Sequence, residues 1–162
     1  MKRFFEKVSF LEFSKNYGED KELYDNYLLP KRSTKSSAGY DFFAINDFVI
    51  KPGEIVKIPT GIKAKLLDDE VLLIMVRGSM GFKYNIRLCN QVGVVDADYY
   101  NNPSNEGHIF IALQNEGDKE FEVYKNDRFA QGIFMKYLIT DDDSASDIRS
   151  GGFGSTNKKE SD

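Results

Sequence analysis

The 162-residue sequence has one cysteine, Cys89, and one histidine, His108. A lone thiol allows no internal disulfide and suits a reducing compartment, so Cys89 in "IRLCNQV" reads as a small core or interface residue. One imidazole leaves too few ligands for a zinc cluster and no basis for a Cys/His nucleophile pair. A Ser-His-Asp triad would have to use His108, which "GHIFIAL" presents as an ordinary strand residue. Long apolar runs are also lacking: none approaches the ~18 residues that span a bilayer. Glu6 interrupts "MKRFFEKVSF" where a signal peptide keeps its apolar stretch, so neither export nor a membrane partner is expected. There is no basic excess either. The net charge is −4 and no basic stripe is visible, which disfavours nucleic acid and requires any anionic ligand to be held locally.

What is present suits a single globular domain: 41% apolar and 30% charged residues on a chain long enough for its own core. Stretches rich in β-branched and aromatic residues at alternating positions cover 54 to 66, 70 to 78, 85 to 95, 107 to 117 and 120 to 139. Turn signals separate them, in "KPGE", "LDDE", "NEGD" and "KND". Many short strands with turns between them predict an all-β barrel or sandwich. Only 18 to 29 has a helical spacing, through Leu23, Tyr27 and Leu28. The expected organisation is a β-barrel domain over 1 to 140, with an N-terminal insertion at about 15 to 29. A linker and C-terminal arm follow over 141 to 162, through the acidic "DDDSASD" to the glycine-rich "GGFGSTN".

Candidate chemistry lies in glycine-punctuated stretches at strand ends. "MVRGSMGFK" puts Arg77 at the end of an apolar run, followed by Gly78, Ser79 and Gly81, so a guanidinium and backbone N–H groups can converge on an anion. A turn or bulge that merely closes a strand fits the same residues. The stretch is not a P-loop, because no G-x-x-x-x-G-K-[ST] pattern occurs. In "NQVGVVDADYY", strand alternation puts Asp96 and Asp98 on one face with Val94, and Val95 and Ala97 on the other. Such carboxylates could hold a metal, or supply a base, or be solvated and paired with arginine. "DRFAQGIF" sets Arg128 and Gln131 in an otherwise apolar strand, where long polar side chains need partners or an outward edge.

In order along the chain, "AGYDFFA" (38 to 44), "RGSMG" (77 to 81), "NQVGVVDADY" (90 to 99), "RFAQ" (128 to 131) and "GGFGST" (151 to 156) resemble the five motifs of the trimeric dUTPases. The resemblance implies a jelly-roll-like β-barrel subunit of a homotrimer, with three sites each assembled from all three chains. It implies hydrolysis of dUTP to dUMP and pyrophosphate with Mg2+, water attacking the α-phosphorus. The implied location is the cytoplasm of a bacterial or phage-infected cell. Asp96 then matches the carboxylate that activates the water, and Tyr99 packs under the deoxyribose and leaves no room for a 2′-hydroxyl. Asn90 and the hairpin backbone of Gly93, Val94 and Val95 match the reader of the uracil edge, with Phe110 on the next strand touching the substrate. Arg77, Gly78, Ser79 and Gln131 match phosphate-binding positions, and Asp41 an aspartate that supports the metal through water. Arg149, Phe153, Gly154, Ser155 and Thr156 match the mobile arm that closes over a neighbouring subunit's nucleotide.

Three departures from the family pattern stand out. The phosphate turn reads Arg-Gly-Ser-Met where the family more often has Arg-Ser-Gly-Leu. Only Ser150 separates Arg149 from the Gly151-Gly152 pair, where the family commonly has two residues. The loop 99 to 108 is longer than usual, and with the N-terminal insertion it is expected on the outer surface of the trimer, where a protein partner could bind. Two other functions share these residues: a deaminase resembling dCTP deaminase, and a phage-type dUTPase with an added regulatory role.

Overall fold

The computed structural model describes residues 2 to 152. The residues Phe153, Gly154, Ser155 and Thr156 of the expected arm lie outside them. The elements in order are strand β1 (Phe4–Lys7), helices α1 (Phe10–Tyr17) and α2 (Lys21–Asn26), then β2 (Lys31–Arg32), β3 (Tyr40–Phe43), β4 (Phe48–Ile50), β5 (Ile55–Pro59) and β6 (Ile62–Lys65). The chain continues through β7 (Glu70–Met75), α3 (Gly78–Tyr84), β8 (Ile86–Leu88), β9 (Gly93–Asp96), β10 (Phe110–Asn115), β11 (Phe121–Val123) and β12 (Arg128–Lys136). Residues 137 to 150 carry no helix or strand.

The fold is all-β and jelly-roll-like. Its largest sheet runs β2-β3-β12-β7-β9, and a second has β10 between β5 and β8. Two antiparallel pairs, β1 with β6 and β11 with β4, complete the barrel. Strict alternation explains the two longest buried strands. Leu72 and Ile74 of β7 and Ile111 and Leu113 of β10 point inward, and the residues between them are only half-buried. Among the described residues no helix is long and apolar enough to cross a membrane.

The structure departs from the sequence reading at identifiable breaks. The stretch 54 to 66 divides at Gly61, which sits at φ 70° and is backed by the Tyr27 ring 2.9 Å from where a Cβ would stand. The stretch 85 to 95 is cut by a turn in which Gln91 takes φ 64°, whereas 120 to 139 divides into β11 and β12 at the expected "KND" turn, with Asn126 at φ 69°. "RGSMG" is not a simple turn. Arg77 caps the N-terminus of α3, and Asn85, left-handed at φ 55°, ends it. Asp98 does not continue the alternation of β9, because Ala97–Tyr99 form a 3-10 turn.

The expected helix over 18 to 29 shrinks to α2, N-capped by Asp20, whose carboxylate accepts from Leu23 N–H at 2.8 Å. A further helix, α1, precedes it. Its signature is the Ser-x-x-Glu pattern of Ser9 and Glu12 followed by Phe10, Phe13 and Tyr17 at helical spacing. Ser9 Oγ accepts from Glu12 N–H, and Gly18 at φ 72° stops the helix. Both helices pack inward. Phe13 is fully buried against the rings of Tyr17, Tyr24 and Tyr27, at centroid distances of 4.9, 5.3 and 5.5 Å. The Tyr27 hydroxyl donates to Gly61 C=O at 2.7 Å.

His108 is not a strand residue either. It lies just ahead of β10 with no exposed surface, where Nε2 accepts from Gly61 N–H at 2.9 Å and Nδ1 faces Glu12 Oε1 at 3.1 Å. These partners fix the neutral tautomer with its proton on Nδ1. Burial pushes the imidazole below the ordinary 6.5, with Glu12 and Glu106 pulling back and Lys15 adding to the depression. A depressed folded-state value means that the stabilisation is complete above 6.5 and is lost as the pH falls through the folded value. Urea-unfolding midpoints should therefore drop in the window that opens just below pH 6.5 in the wild type, and much less in His108→Gln. Glu70 and Glu106, held below the ordinary 4.5, add their losses only at lower pH. A wild-type midpoint flat across the upper window would contradict this assignment.

Candidate active site

Strand β9 forms the edge of the five-stranded sheet, pairing with β7 on one side in the register Gly93↔Ile74 to Asp96↔Val71. Its other backbone edge is therefore open. That edge enters a cavity of about 600 Å3 lined by Asn90, Gly93, Val94, Val95, Asp96, Tyr99, Phe110 and Arg149. Gly93 lets the hairpin approach the sheet: a Cβ there would stand 3.2 Å from Ile74 Cβ and 3.7 Å from Asn90 Nδ2. Val95 is buried beneath the strand, Val94 is exposed above it, and Asp96 stands at its end with its carboxylate about half exposed. The chemistry of the cavity is an apolar floor, a free peptide edge, one amide side chain and a carboxylate at the rim.

Tyr99 is 6% exposed, and burial raises the pKa of its phenol. Its hydroxyl donates to His108 C=O at 3.0 Å and accepts from Asn105 Nδ2 at 2.9 Å, while its own C=O accepts from Asn102 Nδ2 at 2.8 Å. The loop 100 to 107 is therefore tied to the cavity within its own chain. Asn102 is buried, Asn105 lines the cavity, and Gly107 at φ 83° would bring a Cβ within 2.6 Å of Tyr99 C=O. Such a position tolerates only glycine. Phe110 packs against the His108 ring at 4.4 Å between centroids and reaches the cavity as the resemblance implies, across the longer loop.

Arg149 reaches this same chain's cavity. Nη2 donates to Asp96 Oδ2 at 2.7 Å and Nε to Asp98 Oδ1 at 2.8 Å, and its guanidinium carbon lies 5.8 Å from the Tyr99 ring centre. The 3-10 turn thus brings Asp98 alongside Asp96 by a route that strand alternation does not provide. Gly152 continues the path beside Ser104 and Asn105. Residues 149 to 152 lie on their own chain's pocket, reached by the irregular segment that follows β12.

A second concavity holds the other group. Arg77 and Gly78 line it with Lys83 and Arg87, and no residue is shared with the cavity beside β9. Ser79 follows Gly78 in the first turn of α3. The N–H groups of these two residues precede the first bonds of the helix, which Met80 and Gly81 donate to Arg77 C=O. Arg77 is aimed by Asp41, with Nε 2.9 Å from Oδ1. The second oxygen of Asp41 accepts from Ser33 Oγ at 2.6 Å and lies 3.7 Å from Arg128 Nη1. The buried Asp41 thus has both oxygens committed, while the terminal nitrogens of Arg77 have no other partner among the described residues. Gln131, paired across the sheet with Asp41 and Met75, donates to Val76 C=O at 3.1 Å and steadies the strand end that carries Arg77. Its amide lies over Gly39, where a Cβ would collide with it.

One chain therefore gathers Asn90, Gly93, Val94, Val95, Asp96, Tyr99, Phe110 and Arg149, and keeps Arg77 and Gly78 in a separate cleft. Sequence reading missed Lys57, a cation on the cavity wall with no ion-pair partner among the described residues, and Asn105. Only the alternation of β5 and the unusual loop length hinted at either. No group of three or more carboxylate, imidazole or thiol ligands occurs among the described residues, so any metal would depend on oxygens from elsewhere.

A family model described as dUTPase matches residues 25–157. The deoxyuridine 5′-triphosphate nucleotidohydrolase of Lactococcus lactis subsp. lactis (strain IL1403) is 48% identical over 130 residues, 79% of this chain and 87% of that protein. The crystal structure of the dUTPase from Streptococcus mutans superposes with a TM-score of 0.68 at 38% identity, covering 85% of this chain and 98% of that one. The dUTPase from phage phi11 of S. aureus, at 17% identity, shares the fold with a TM-score of 0.66 over 93% and 100% of the two chains. With a family match that spans most of its length and takes in both concavities, the chain belongs to the dUTPase family.

Proposed function

We propose that the chain hydrolyses dUTP to dUMP and pyrophosphate by water attack on the α-phosphorus. Asp96 carries this reading: a half-exposed carboxylate at the rim of a cavity whose floor suits a base and a sugar. The open edge of β9 and the Asn90 amide read the uracil edge, and a base with reversed donors would leave these groups unpaired. Tyr99, held rigid by His108 and Asn105, lies under the deoxyribose, and Phe110 closes the side. Asp96 accepts the proton of the attacking water. Mg2+ is the fitting ion, since a hard cation that keeps its waters is held mainly by phosphate oxygens and needs no protein cage; when bound, it neutralises triphosphate charge. Asp41, its oxygens already engaged, would reach such an ion only through water. Arg77, the N–H groups of Gly78 and Ser79, and Gln131 behind them form the phosphate side.

Arg149 takes a double part on this reading. In the free chain it bridges Asp96 and Asp98; a triphosphate offers it a stronger anion and frees Asp96 for the proton. The segment after it, with Phe153 over the base and Gly154, Ser155 and Thr156 at the phosphates, belongs to the same closing arm. The lone thiol of Cys89 accords with work in the cytoplasm.

The separation of the two concavities supports a site completed by another copy of the chain, as in a homotrimer. Native mass spectrometry should then give three times the mass of one chain, and a monomer that hydrolyses dUTP at full rate would refute the shared site. Asp96→Asn should lower pyrophosphate release from dUTP by about 10^2- to 10^4-fold while nucleotide binding survives. Normal turnover in that variant would remove Asp96 from its role. Asp41→Ala should leave Arg77 unaimed and cut kcat/KM by roughly tenfold or more with dUTP, because misplacement of a charge-neutralising group weakens the transition state. Calorimetric binding of a non-hydrolysable dUTP analogue separates that loss from a folding defect.

A further inference from the structure

Helix α1 lies wholly ahead of residue 25, where the family match begins. That match therefore does not include it, yet its start is bolted to the loop that borders the cavity. Ser9 N–H donates to Glu106 Oε2 at 3.0 Å, and Ser9 Oγ donates to the other oxygen of the same carboxylate. Lys63 stands 3.5 Å from Glu106, so this grip is also charge-balanced. One turn later Glu12 meets the Nδ1–H of His108. Glu12 is 4% exposed and His108 not at all, so the pair has no water to replace a lost partner.

His108 leads directly to Tyr99. Its C=O accepts the Tyr99 hydroxyl and is 3.4 Å from Asn105 Nδ2, which also donates to that hydroxyl. Two contacts therefore separate Glu12 from the phenol. The loop between them has little slack, because Gly107 is pressed against the Tyr99 backbone at its near end and α1 holds Glu106 and His108 from the other side. A shift of α1 must pass into the position of the Tyr99 ring.

We propose that Ser9 and Glu12 of α1 are positioning residues for the Tyr99 platform, so that this N-terminal helix helps set the preference for deoxyribose over ribose. The inference rests on the reading of Tyr99 as the wall under the sugar. Exclusion of a single hydroxyl depends on displacements well below an ångström, and a wall held by a buried pair is rigid enough to provide it.

The test uses the full chain and steady-state kinetics with dUTP and UTP, beside urea unfolding. Glu12→Leu, which fills the space without accepting from His108, should reduce the ratio of kcat/KM for dUTP over UTP by about tenfold, with KM for dUTP rising more than kcat falls. Glu12→Gln retains an acceptor oxygen and should keep the ratio of the wild type. Should Glu12→Leu fail to fold, Ser9→Ala carries the test, with a loss of about threefold in the same ratio. Equal losses on both substrates, or an unchanged ratio in folded Glu12→Leu and Ser9→Ala, would overturn the proposal. Tyr99→Ala separates the two readings. If it keeps the preference, the sugar-wall role itself fails; if it loses the preference while Glu12→Leu keeps it, only the role of α1 fails.

Discussion

Among the described residues strand β9 has a neighbour on one side only, and the cavity is built around that fact. β7 holds it through four residue pairs, and β12 holds β7 on the opposite edge. An unpaired strand edge is ordinarily a hazard, since its peptide groups invite another chain. Here the strand is four residues long, its free edge is turned into a cavity, and Asp96 and Asp98 stand at its end. The same peptide groups that would promote aggregation supply fixed donors and acceptors at no reorganisation cost. On the proposed reading, recognition by backbone also explains why side chains as plain as Val94 and Val95 occupy the middle of the site.

Both concavities depend on buried polar groups that are fully partnered. Asp41 joins Arg77, Ser33 and Arg128, Gln131 caps the Val76 carbonyl, and His108 links Glu12, Gly61 and Tyr99. Among the described residues no buried side-chain nitrogen or oxygen lacks a partner. In a low-dielectric interior such networks fix geometry more firmly than apolar contacts do, because each slipped bond exposes an unpaired group. The stiffness is placed where ligand atoms are to be met, behind Arg77 and beneath Tyr99.

The strands were legible because half-buried strands must alternate, and β7 and β10 do so without exception. The breaks were harder to see. Gln91 adopts positive φ without being glycine, and nothing local in the sequence marks it, whereas Asn126 falls in the "KND" turn signal. Asp98 was legible as a partner of Asp96 but for the wrong reason, since a 3-10 turn and an arginine bring the two together. Site residues in glycine-punctuated stretches could be read because close approach of backbone restricts residue type, as Gly93 shows against Ile74. Lys57 and Asn105 carry no such constraint and became visible only in three dimensions. The same holds for Glu12 and His108, whose contact spans 96 positions of sequence. The Ser9–Glu12 capping pattern was readable, but a cap announces a helix and not what the helix will hold.

The contact of Arg149 with Asp96 and Asp98 resolves a conflict of charge. On the proposed reading, a site for a polyanion cannot leave two carboxylates bare at its mouth without repelling its ligand, yet one of them has a proton to accept. A guanidinium shared between the two lowers that repulsion. Because it comes from a segment without helix or strand, it can follow a phosphate at little cost in structure. The single residue between Arg149 and Gly151 keeps the cation at the carboxylates while Gly152 passes over Ser104 and Asn105. With that spacing the arginine stands where the two carboxylates converge, and the glycine pair follows directly along the loop 100 to 107.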